Sequence, residues 1–110
     1  MSWSTALLPI AEKELNDLPT LEYNAMLNAI EKLKALGPNL PYPHSSQVKS
    51  ADSLRELRPR GGRSPNRGFY RRVGDVFVIA AIGPEAEVDR HGFQRAVIAA
   101  VERLNDLEED

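Results

Sequence analysis

At 110 residues, 42% of them hydrophobic and none cysteine, the chain has material for one domain, residues 1–110, and for no disulfide or thiolate chemistry. Its longest apolar run, residues 76–82, falls far short of the roughly 20 residues that cross a bilayer, and Glu12 and Glu14 come too early for a secretory leader, so a cytoplasmic protein with no membrane contact is expected. The net charge of −2 conceals a segregation: residues 49–72 hold eight cations against Asp52 and Glu56, a local +6, while residues 1–48 sum to −2 and residues 73–110 to −6.

In chain order, residues 3–7 read as an edge strand. Pro9 suits the first turn of a helix, where its missing N–H costs nothing. Ala11, Leu15 and Leu18 then recur at helical spacing until Pro19 stops them. Thr20 is placed to cap a second helix, in which Tyr23, Met26, Leu27, Ile30, Leu33 and Leu36 form an apolar stripe ending at Gly37-Pro38. Residues 37–52, with Pro38, Pro41 and Pro43, read as a stiff surface connection that holds a lone histidine, His44. Residues 53–58 read as a strand with Leu54, Glu56 and Arg58 on one face and Arg55 and Leu57 on the other. A Gly-rich turn follows at 60–66, a strand at 67–73, a hairpin at Gly74-Asp75 and a strand at 76–82 apolar on both faces, hence central and covered on both sides. An acidic loop, 85–90, leads to a last helix marked by Phe93, Val97, Val101 and Leu104, with a frayed tail at 108–110.

The expected order is β-α-α-β-β-β-α, an α+β fold in which an N-terminal helical hairpin packs on an antiparallel meander with a C-terminal helix. Its core should combine Leu54, Leu57, Val76, Val78, Ile79 and Ile82 with Leu27, Ile30 and Leu33. His44 and His91 match no ligand spacing, so no metal and no cofactor are expected. The basic segment suggests an anionic partner, since arginine forks suit phosphate and carboxylate. The alternative is a solvated loop whose arginines form local ion pairs.

Four stretches, in this order, resemble the RelE/ParE superfamily of type II toxins, in particular its HigB-like, phage-derived branch. They are ALLPIAEKELNDLP, LEYNAMLNAIEKLKALGP, LRELR with the Gly-rich basic turn behind it, and RGFYRRVGDVFVIAAIG. The resemblance implies a toxin neutralised by a cognate antitoxin. It implies a metal-free endoribonuclease that cuts mRNA on the ribosome or, alternatively, a ParE-like inhibitor of DNA gyrase, or an inactive relative that only binds an antitoxin. Cutting RNA without a metal requires a base for the 2′-hydroxyl proton, cations on the phosphorane oxygens and an acid for the leaving oxygen. The resemblance places Arg58, Arg60 and Arg67 as the catalytic cations and His91 as the proton carrier. By their place in the basic segment Lys49, Arg63 and Arg71 are expected to hold substrate, and Tyr70 either stacks on a base or packs in the core. Glu56 is a second candidate base or an ion-pair partner. One departure stands out: where ribosome-dependent members carry cations after the central strand, this chain has Glu85, Glu87 and Asp89, whose charge would repel phosphate.

Overall fold

In the computed structural model, which describes residues 2–108, five strands form one sheet in the order β1-β5-β4-β3-β2. The strands are β1 (Ser4–Leu7), β2 (Ser45–Gln47), β3 (Arg55–Leu57), β4 (Asn66–Val73) and β5 (Val76–Pro84), and the helices are α1 (Pro9–Asn16), α2 (Thr20–Leu36) and α3 (Arg90–Glu108). Strands β2 to β5 pair antiparallel and β1 adds parallel to β5 at the edge. The expected tail, at 109 and 110, lies outside the described residues.

β5 is an inner strand, next to the edge strand β1; its side chains are apolar on both faces, and each face has its own cover. Phe77, Ile79 and Ile82 join Leu57, Tyr70 and the α2 residues Met26, Ile30 and Leu33 in one cluster. Val78, Ala80 and Ala81 join Leu54, Phe69 and the α3 residues Val97, Ala100 and Leu104 in the other. The alternation of β5 breaks at a bulge: Phe69 pairs with Ala81 but Tyr70 with Ile79, leaving Ala80 as the extra residue. Ala80 and Ala81 therefore both face α3, and Ile82 is turned back toward α2.

Three details differ from the expectation. Ser45–Gln47 is a strand, because the outer edge of β3 takes it as a partner. Pro19, not Thr20, is the residue before the first helical one of α2. Its extended backbone aims its carbonyl at the Tyr23 N–H, 2.8 Å away, and Thr20 is already helical with no capping bond from its hydroxyl. Leu27 and Val76 pack at the margins of the clusters rather than inside them.

α1 reaches around the end of β1. It sends Leu15 into the α2-side cluster, while Glu14 pairs with Arg103 of α3 at 3.0 and 3.1 Å. β1 stops pairing at Leu7↔Ile79, and past that point the open side of β5 meets these two side chains. Arg103 Nη1 donates to the Ala80 carbonyl at 2.8 Å, and the Ile82 N–H donates to Glu14 Oε1 at 3.0 Å.

Candidate functional site

The turn after β3 sets the geometry. Pro59–Gly62 coils tightly, with Arg60, Gly61 and Gly62 all at positive φ. Gly62 suits the turn through its φ of +96°, and a Cβ there would push against the Arg58 guanidinium, 2.5 Å from Nη2. The chain then doubles back so that the carbonyls of Gly62, Ser64 and Asn66 converge on Arg67 at the start of β4.

Arg67 fills that convergence. Nη1 donates to Ser64 O at 2.7 Å and Asn66 O at 3.0 Å. Nη2 donates to Gly62 O at 3.2 Å and Glu85 Oε2 at 3.1 Å, and Nε donates to Glu56 Oε1 at 3.3 Å. All five N–H groups of the fork are used, and the residue is only 1% exposed. Burial lowers its pKa most and the nearby Arg58 charge lowers it further, while Glu56 and Glu85 pull it back. Arginine's high intrinsic basicity keeps it charged.

Arg58 meets Arg67 on the same carboxylate. Its Nη1 donates to Glu56 Oε1 at 2.7 Å and its Nε to Pro43 O at 2.9 Å, and its guanidinium lies 5.2 Å from the centre of the Tyr42 ring. These residues form one wall of a cleft of ≈ 420 Å³, with Glu85, Glu87 and Phe93 on the other. Phe93 holds that second wall in place by packing edge-on against Phe69 at 5.4 Å. Two carboxylates of the acidic loop are committed: Glu85 to Arg67, and Asp89 to the Gly92 N–H at 2.9 Å, where it caps α3. Glu87 alone of the three presents an unbonded carboxylate to the cleft among the described residues.

The other expected site residues scatter. Arg60 is half exposed and pairs with Glu22 of α2 at 3.2 Å. Arg63 is exposed on the turn, its Nε on Arg60 O at 3.1 Å, and Lys49 is exposed in the loop after β2. Arg71 lies toward the far end of α3, on Glu108 at 3.3 Å and the Asp52 carbonyl at 3.3 Å. Tyr70 is 2% exposed, its hydroxyl 2.6 Å from Ser45 Oγ and its ring edge-on to Phe77, so no base can stack on it. His91 is exposed on the first turn of α3 and does not line the cleft; Phe93, about 200° further round the helix, does. Tyr42 is the cleft residue that reading the sequence passes over. Its signal was there: an aromatic between Pro41 and Pro43 is held out on a stiff loop, and it is 72% exposed. Among the described residues no group of three His, Cys, Asp or Glu could hold a metal ion, and no helix is long and apolar enough to cross a membrane.

The helix-covered five-stranded sheet has the fold of solved RelE toxins. An arginine-to-alanine double mutant of the Escherichia coli toxin RelE in the free state superposes with a TM-score of 0.67 at 15% identity, over 94% of this chain and 98% of that one. The toxin–antitoxin complex RelBE2 of Mycobacterium tuberculosis contains a chain matching at 0.58 and 17% identity, over 77% of this chain and all of that one. The archaeal RelE–RelB complex of Pyrococcus horikoshii matches at 0.56 and 20%, over 76% and 96%. At these identities the likeness is one of fold. By sequence, the chain belongs to the phage-derived Gp49-like protein family (DUF891), which it matches over residues 13–82. It is also 29% identical over 97 residues, 82% of its length, to a ketol-acid reductoisomerase (NADP(+)) from Pseudoalteromonas translucida (strain TAC 125), of which it spans a fifth, 20%.

Proposed function

We propose that this chain is the toxin of a type II toxin–antitoxin pair and that it cuts messenger RNA on the ribosome without a metal. Membership of the phage-derived family and a RelE fold, seen elsewhere in complexes with RelB, support the toxin and an antitoxin partner. The observation that carries the nuclease reading is the cleft, where a guanidinium, a carboxylate and an exposed tyrosine converge. In this reading Arg58 steadies the phosphorane oxygens. The adjacent 2′-oxygen bonds to phosphorus and gives its proton to Glu56, whose two arginine bonds both fall on Oε1. The P–O5′ bond breaks, and the leaving oxygen takes a proton from the Tyr42 hydroxyl. The products are a 2′,3′-cyclic phosphate and a free 5′-hydroxyl. Tyr42 also offers a face on which an unpaired base can stack. Arg63 and Lys49, exposed and without an ion pair among the described residues, track the strand. Arg67 anchors the turn rather than gripping phosphate, since its donors are already in use.

The test is cleavage of a defined messenger with and without ribosomes. Arg58→Ala should slow it by about 10²–10³, the cost of losing one preorganised charge on a transition state, and Tyr42→Phe by about 10²–10⁴. His91→Ala should stay within a few-fold of the parent. Intact messenger under both conditions would overturn the nuclease. One observation favours a second reading, an antitoxin-binding relative that does not cut: most arginines of residues 49–72 are bonded to the protein's own carboxylates and carbonyls. On that reading overproduction leaves bacterial growth and messenger intact.

A further inference from the structure

A second concavity, of ≈ 260 Å³, lies between α2 and the Pro59–Gly62 turn. Its floor is Ala25 and Ala29, small residues that let the turn approach the helix. Along one rim run Asn24, Asn28 and Lys32, one helical turn apart and all exposed. Arg58, Arg60 and His44 form the other rim. No carboxylate lines it among the described residues, and Glu22 of α2 is held by Arg60, Ser64 and Asn66. Arg60 is fixed there in left-handed backbone, φ 56°, which residues other than glycine seldom adopt, and its side chain is still 40% exposed.

Asparagine is a poor helix former, and two of them one turn apart on an exposed face weaken α2 relative to alanine or lysine. Folding does not account for them, but recognition does, because a carboxamide both donates and accepts and so matches the edge of a base. The groove is small, ≈ 260 Å³ against the ~300–1,000 Å³ of ordinary small-molecule sites, a size that suits a single nucleotide. Arg58 lines both this concavity and the cleft, so the two are neighbours across one side chain.

We propose that this groove is an RNA subsite that holds one unstacked nucleotide of the single strand whose neighbouring phosphate lies in the cleft. The base rests on Ala25 and Ala29 with its edge on Asn24 and Asn28, and Lys32 and Arg60 neutralise the flanking phosphates. The assignment rests on the RNA reading given above.

Because all three rim positions on α2 are exposed and alanine is the better helix former, their alanine variants keep the fold. The probe is a fluorescent single-stranded oligonucleotide with 2′-O-methyl groups, which removes the nucleophile and prevents cutting. Asn24→Ala with Asn28→Ala should weaken binding on the order of tenfold. Lys32→Ala should flatten the salt slope by about 0.7, one phosphate on a single strand. Lys34→Ala, an equal loss of charge on the other flank of α2 where Glu31 pairs with it, should change little. A 5′-mononucleotide should compete at lower concentration than inorganic phosphate; equal competition makes the groove a plain anion site and overturns the base contact. If Arg58→Ala abolishes binding while the α2 variants equal the parent, or if Lys34→Ala matches Lys32→Ala, this subsite is wrong and the RNA reading stands. If the parent itself does not bind, this subsite falls, and the RNA reading is decided separately by cleavage of messenger in the presence of ribosomes.

Discussion

Arg67 commits its fork to Glu56, Glu85 and three turn carbonyls, and a phosphate could reach it only by displacing one of them. Arg67→Ala should therefore destabilise the protein by about 3–5 kcal/mol, the cost of stranding buried partners, read as a lower urea midpoint. Arg67→Lys should recover little, since a three-donor ammonium cannot fill a planar five-bond site. An unchanged midpoint with lost cleavage would restore the clamp role that the family resemblance implies. At this scale the sequence singles out residues 49–72 by their charge but not the partners that the fold brings to each side chain. Alternation assigns Phe69 and Tyr70 to opposite faces, but not what covers each face. An acidic loop looks repulsive to phosphate until Glu85 is seen on Arg67 and Asp89 on the α3 N-terminus. Arg67 and Glu85 are 18 residues apart in sequence, and no local pattern links them.

Long periodic elements were legible: α2 from its apolar stripe, β5 from its unbroken apolar run, α3 from Phe93 to Leu104. β2 was not, because three residues, Ser-Ser-Gln, carry no strand preference and form one only against the edge of β3. The bulge at Ala80 was hidden for the opposite reason, since a run that is apolar throughout has no polar residue to show a change of face. The junction of β5 and α3 yields a prediction whose sign runs against helix propensity. Gly92 lies inside α3, where alanine ordinarily gains about 1 kcal/mol. Here its Cβ would meet Asp89 Oδ2 at 2.5 Å and Pro84 Cγ at 2.7 Å. Gly92→Ala should thus lower the melting temperature by dislodging the cap and the second wall of the cleft; a higher melting temperature would show that the loop yields freely.

Across the whole molecule the segregated charge of the sequence is largely folded away. Glu22 comes from α2, Glu85 follows β5 and Glu108 ends α3, and each meets an arginine of residues 49–72. The +6 segment was legible; its neutralisation was not, because it depends on which distant carboxylates the fold brings back. Within that segment, among the described residues, Lys49 in the loop after β2 and Arg63 on the turn stay without an ion pair, and Lys32 with the exposed part of Arg60 lies by α2. The same economy governs the side of β5 that β1 leaves uncovered. A bare row of N–H and C=O groups there would be a template for the strand of another molecule. Glu14 and Arg103, bonded to each other and to the Ile82 N–H and Ala80 carbonyl, imitate the missing strand with two side chains and close the row to strangers. Removing both, Glu14→Ala with Arg103→Ala, should turn a self-contained protein into a sticky one, with a mass by sedimentation that rises with concentration where the parent's does not. A mass that tracks the parent's throughout would mean the edge was never dangerous, and that the ion pair only fastens α1 to α3.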